Sequence, residues 1–134
     1  MATTTTQIVS GFSDLDLNFT MHPVKKDINR HINEVAVVNS VKNLILTNHY
    51  ERPFRPDIGS NVRRILFENM DVISATTLQN EIIQTIKNYE PRINVSKLVV
   101  SPDYENNGFT VYMEFFVINR TTPITINFFL ERIR

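Results

Sequence analysis

Cysteine is absent from the 134 residues, which excludes disulfides and thiolate metal sites. The absence fits a chain made and used inside a cell. Glycine is scarce as well, and three residues of it could hardly build the glycine-rich loops that cradle phosphates. Neither sign of charge prevails. Fourteen basic residues balance 14 acidic ones, so composition gives no electrostatic case for a nucleic-acid or anionic-membrane partner. No segment approaches the ~20 apolar residues that a membrane span needs. Met1 to Ser10 is polar and threonine-rich, without the basic start and apolar run of a signal peptide. The expectation is a soluble, unsecreted protein with no cofactor and neither nucleic acid nor membrane as a partner.

What is present describes an ordered domain, with 42% hydrophobic and 10% aromatic residues. A chain of this length suits one domain and can bury roughly 70% of the surface it exposes when unfolded. Residues 1–11 read as a flexible arm and 12–134 as the single domain. Leu15, Leu17, Phe19 and Met21 alternate with polar neighbours, as in a short strand ended by His22-Pro23. Val24 to Asn33 is polar and reads as a connection. From Glu34 to about Thr47, the spacing of Val37, Val38, Val41, Leu44 and Ile45 makes one stripe on a helix, which Asn33 could cap. Its valines are mediocre helix formers, so burial must hold it. Arg52 to Gly59 carries two prolines and cannot be regular structure. A short helix follows, with Val62, Ile65, Leu66 and Met70 inward. Ser74 or Ala75 opens a second long helix, which buries Leu78, Ile82, Ile83, Ile86 and Tyr89 and stops at Glu90-Pro91.

The rest reads as β. Leu98 and Val100 mark one strand, Asn106-Asn107-Gly108 a turn, and Phe109, Val111, Met113, Phe115 and Val117 a full alternating strand. After a turn from Asn119 to Pro123, Ile124, Ile126, Phe128 and Leu130 repeat the alternation. The predicted fold is α+β: two or three helices packed on a C-terminal three-stranded antiparallel meander, with a short N-terminal strand.

Little here points to catalysis. His22, His31 and His49 are dispersed, with no i, i+4 pair, and no nucleophile-elbow pattern surrounds any serine. A glycosidase needs two carboxyls about 5 to 9.5 Å apart, one of them kept protonated by an apolar site. Glu68, Asp71, Glu81 and Glu90 are the candidates, but any small domain with 14 acids offers such pairs by chance, and solvated or paired surface acids account for them better.

Three features call for explanation. Pro91 obliges the helix to end, so Glu90 meets the negative end of the helix dipole, an opposition worth about 0.3–1 kcal/mol. Something should offset it: Arg92 could pair with Glu90 or reach another chain, or the tripeptide is an ordinary helix stop. The long strand is apolar on both faces, because Tyr112, Phe116 and Ile118 oppose the core side; the second face is either covered by the first helix or offered to a partner. The last strand can leave an unpaired edge that Thr125 and Asn127 do little to protect.

Several blocks occur in a distinctive order. They are Asn39 to Thr47, Glu51-Arg52-Pro53-Phe54, Pro56-Asp57-Ile58-Gly59, Leu66-Phe67-Glu68 and Asn88-Tyr89-Glu90-Pro91-Arg92-Ile93. Together, from about Val24 to the C-terminus, they resemble the small baseplate wedge subunits of contractile-tailed phages, the gene-25-like family, whose cousins include a type VI secretion baseplate subunit. The resemblance implies an α+β fold and a structural, non-enzymatic role in the virion's tail baseplate, assembled in the host cytoplasm. It implies that Glu90, Pro91 and Arg92 bind the bundle formed by larger wedge subunits. It also implies that the sheet edge at Ile124, Ile126, Phe128 and Leu130 pairs with the sheath protein and starts sheath assembly, with tail-tube or hub proteins as further neighbours. Arg52, Pro53, Phe54, Pro56, Gly59, Phe67 and Glu68 carry the family's structural motif. Some members bear a lysozyme label, which keeps a cell-wall glycosidase as the competing reading; a secretion-system subunit is another. The chain departs from the family where His49-Tyr50 replaces a glycine common before Glu-Arg-Pro, and where Asn69 replaces a proline common after Leu-Phe-Glu.

Overall fold

The computed structural model describes residues 13–15, 30–32, 34–118 and 120–132. The expected arm at 1–11, the alternation through Leu17, Phe19 and Met21, and the Asn33 cap lie outside the described residues. Two short strands open the order, β1 (Ser13–Leu15) and β2 (Arg30–Ile32), paired antiparallel with Asp14 opposite His31. The segment ending at Asn33 therefore contains a strand as well as a connection. At three residues each, these strands carry no readable alternation; they pair with one another and lie beside the first helix.

That helix, α1 (Glu34–Leu46), buries Ala36, Val37, Val41, Leu44 and Ile45, as the stripe demands, with Val38 packed at its margin. Its N-terminal Glu34 is ion-paired with Arg120, which ties the helix to the last β-turn. A single turn, α2 (Val62–Ile65), brings Val62, Ile65 and Leu66 into the core. The long helix α3 (Val72–Tyr89) starts earlier than Ser74, because Asp71 is its N-cap: the Asp71 carboxylate accepts from the Ser74 amide at 2.7 Å. Val72 and Ile73 occupy the first turn but face solvent, so a search for buried apolar residues passes over them.

The meander consists of β3 (Ile93–Asp103), β4 (Gly108–Val117) and β5 (Ile124–Glu131), in the order β3-β4-β5 and antiparallel throughout. β3 is far longer than Leu98 and Val100 suggest. A bulge between Val95 and Lys97 breaks its alternation, although pairing continues from Ile93 opposite Val117 to Asp103 opposite Gly108. Gly108 is obligatory where β5 crosses it, since a Cβ there would stand 2.4 Å from the Leu130 carbonyl oxygen.

All three helices share one core with one sheet face. Val37, Val41, Leu78, Ile82 and Ile86 meet Phe109, Val111, Met113 and Phe115. The opposite sheet face is not covered by α1, which instead packs on α3 and the N-terminal strand pair. Tyr112 and Phe116 are half-buried there and Ile118 is exposed. Lys97 lies 5.8 Å from the centre of the Tyr112 ring, a cation–π contact across the strands.

Candidate protein-interaction site

Where α3 ends, the chain solves the problem posed by a carboxylate at the negative end of a helix. The Glu90 amide still donates to the Ile86 carbonyl at 2.9 Å, and Pro91, lacking an N–H, stops the helix there. The Glu90 side chain is only 5% exposed. Arg92 grips it with a fork, Nε donating to Oε1 at 2.6 Å and Nη2 to Oε2 at 2.7 Å. Ser40, presented by α1, donates to the same Oε2 at 2.7 Å and accepts from Arg92 Nη2 at 3.1 Å. The tripeptide is therefore more than a helix stop, since its two charges lock α3 to α1. Burial pushes the Glu90 pKa up, but the hydrogen bonds from Arg92 and Ser40 and the Arg92 charge outweigh it and hold the carboxyl below the ordinary glutamate range. Arg92 stays 29% exposed, and Pro91 is exposed beside it.

A groove of about 230 Å³ runs beside this pair, lined by Ser40, Leu44, Arg52, Arg55, Ile58, Asn88, Tyr89 and Glu90. One wall is the proline-containing segment. It is tied down at both ends: Ser60 N donates to the Thr47 carbonyl (2.8 Å) and Ser60 Oγ to the Ile45 carbonyl (2.6 Å). Within it, Tyr50 N reaches the Pro56 carbonyl (2.9 Å) and Tyr89 Oη the Asp57 carbonyl (2.7 Å). Gly59 is buried against the 48–49 backbone, where a Cβ would lie 2.6 Å from His49 N. Among the other residues of the expected structural motif, Arg52, Pro53, Phe54, Pro56, Phe67 and Glu68 are exposed. Gly59 alone of that set is a packing residue. Tyr50, standing where the family commonly has glycine, takes φ 70° and so keeps a turn that suits glycine.

Among the described residues neither margin of the sheet is paired, and the two differ in character. β3 carries the bulge, Lys97 and Pro102, all devices that discourage strand addition. β5 has none of these between Ile124 and Leu130. Ile126 and Leu130 are buried and Ile124 and Phe128 half-buried, so these side chains point into the core. Arg132 N donates to the Asn107 carbonyl (3.0 Å), and the β4–β5 register then places Leu130, Phe128, Ile126 and Ile124 in the hydrogen-bonded pairs. The N–H and C=O groups that face away from β4 are consequently those of Thr125, Asn127, Phe129 and Glu131. The residues expected at the sheath edge, Ile124, Ile126, Phe128 and Leu130, therefore spend their own backbone groups on the ladder with β4. Alternation alone assigns side chains to faces and says nothing of which backbone groups the ladder consumes.

Similar folds occur in solved baseplates. The chain superposes on a protein of the anti-feeding prophage baseplate with a TM-score of 0.72, at 20% identity over 82% of this chain and 88% of that one. For a protein of the post-contraction pyocin R2 baseplate the TM-score is 0.51, with 20% identity, 83% and 97% coverage. A Geobacter sulfurreducens protein assigned as a tail lysozyme gives 0.70, again at 20% identity, over 75% of this chain and 92% of that one. These comparisons speak for the fold. The sequence goes further, because 113 residues are 34% identical to baseplate wedge protein gp25 of Enterobacteria phage T4, covering 84% of this chain and 85% of that protein. Such a chain is a structural subunit of a phage tail baseplate. It belongs to the baseplate wedge protein gp25 family, whose sequence pattern matches residues 31–115.

Proposed function

We propose that this subunit joins two neighbours: larger wedge subunits through the Glu90-Pro91-Arg92 corner, and the first sheath ring through the outward edge of β5. The contrast between the two sheet margins carries the reading. A protein with no use for β5 would be expected to guard it as it guards β3. The two contacts do not compete for space. Arg92 leads straight into β3, β5 forms the opposite margin, and β4 separates them. The corner is rigid, because Arg92 is held in a fixed orientation by a buried carboxylate and a serine, and a rigid surface loses little entropy when a partner docks on it.

A glycosidase role finds no support in the carboxyls. Glu90 is consumed by Arg92 and Ser40, and both it and Asp71, the α3 cap, are held below their ordinary range, the opposite of what a general acid requires. Glu81 accepts from the Asn61 amide at 2.9 Å. Purified protein is expected to leave peptidoglycan intact; turnover abolished by Glu68→Gln would establish an enzyme instead.

The edge is tested with Asn127→Pro. This change removes an outward-facing donor and no bond to β4, so the domain should remain folded. Baseplates carrying it are expected not to start sheath polymerisation. Normal sheath growth would refute strand pairing at β5.

A further inference from the structure

The segment from Asn48 to Ser60 contains the most exposed large apolar side chain among the described residues, Phe54, which is 94% exposed. It is not a loose loop. Its ends are joined by the Asn48–Ser60 bridge, Glu51 accepts from the Asn48 amide (2.9 Å), and Ile58 N donates to the Arg55 carbonyl (3.2 Å). Phe54 is thus held outward by a backbone that has already lost its freedom. An anchor of that kind spends little conformational entropy on binding. Arg52 and Arg55 flank it and line the groove that leads to Glu90.

The charge of this face is unbalanced. Glu90 is fully engaged by Arg92 and Ser40, and Glu51 by Asn48 and, at 4.0 Å, Arg63. Arg55 has an exposed partner, Asp57, at 3.6 Å, and Arg52 makes no ion pair among the described residues. Each of these anions is matched by one cation, so Arg52 alone leaves the surface beside Phe54 with an uncompensated positive charge.

We propose that this preorganised Phe54 loop, with Arg52 and Arg55, is a second part of the wedge-binding surface, inserting Phe54 into an apolar pocket bordered by carboxylates on a large wedge subunit. The inference rests on the reading that the adjoining Glu90-Pro91-Arg92 corner meets the same subunits. Aromatic and arginine anchors set together are the usual centre of a protein interface, and cationic flanks select an acidic rim.

The test uses the full chain co-expressed with the large wedge subunits of the same phage, the complex being quantified after purification. Three variants are compared: Phe54→Ala, Arg52→Glu/Arg55→Glu, and the charge-neutral pair Glu90→Gln/Arg92→Gln. Phe54 and the two arginines are exposed, so the first two variants should unfold at the wild-type temperature. Phe54→Ala is expected to weaken the complex at least ten-fold. Arg52→Glu/Arg55→Glu should do the same and reduce its sensitivity to salt. Wild-type binding by Phe54→Ala overturns the proposal, even when the Glu90/Arg92 pair variant fails to bind. Loss with Phe54→Ala but not with the arginine reversals removes the acidic rim. Loss with Phe54→Ala while the Glu90/Arg92 variant binds normally upholds the loop as an anchor and refutes the corner.

Discussion

At the scale of single residues, Glu90 and Arg92 have two duties that mutation must separate. Replacing Arg92 with alanine leaves a carboxylate of 5% exposure without its counter-charge, held only by Ser40 and the backbone amide of residue 92. Breaking a fully buried pair costs roughly 3–5 kcal/mol; with Arg92 partly in water, about 2 kcal/mol is expected here, measurable by urea unfolding. Glu90→Gln/Arg92→Gln strands no charge and should unfold close to wild type, which makes it the better probe of binding. The pH dependence has a definite sign. Glu90 is held low in the folded state, so its contribution is complete above the ordinary glutamate value and is lost as pH falls through the lower folded value. The acid-unfolding curve of the double variant should therefore be flatter than wild type in that window; coincident curves would contradict the assignment. Tyr50 offers an independent check. It is 85% exposed at φ 70°, so Tyr50→Gly relieves backbone strain while losing little packing, and should stabilise the domain by up to about 1 kcal/mol in thermal unfolding. The offset demanded at Glu90 was readable from Pro91 and the helix dipole. Ser40 was not, because nothing in sequence places a residue fifty positions away against a helix end.

Among elements, the two long helices and the three meander strands were legible because each carries a run of periodic apolar residues. What escaped notice was held by other forces. The first turn of α3 depends on the Asp71 cap and exposes Val72 and Ile73, and the first half of β3 passes through a bulge that spoils its period. β1 and β2 are too short to have a period. Gly108 marks the close approach of β4 and β5, and Gly108→Ala would press a methyl against the Leu130 carbonyl and the Phe129 ring. Destabilisation of about 1–3 kcal/mol is expected, with a loosened β5 margin in hydrogen exchange. An unchanged denaturation midpoint would mean that the strands can part without cost.

For the whole molecule, the described helices pack on one face of the sheet, and among the described residues no strand pairs with either sheet margin. The fold class and the baseplate family were legible in sequence, because ordered motif blocks survive where overall identity to a known wedge protein is 34%. The division of labour between surfaces was not, since it depends on which backbone groups the β4–β5 ladder leaves over. Those groups supply the most direct measurement. In the isolated chain the amides of Thr125, Asn127 and Phe129 face away from β4 and should exchange with solvent deuterium rapidly. In baseplates carrying sheath they should become protected by several orders of magnitude, while isolated wedges leave them fast. Equal, rapid exchange in sheathed baseplates and free protein would show that β5 pairs with nothing, and the central claim would fall.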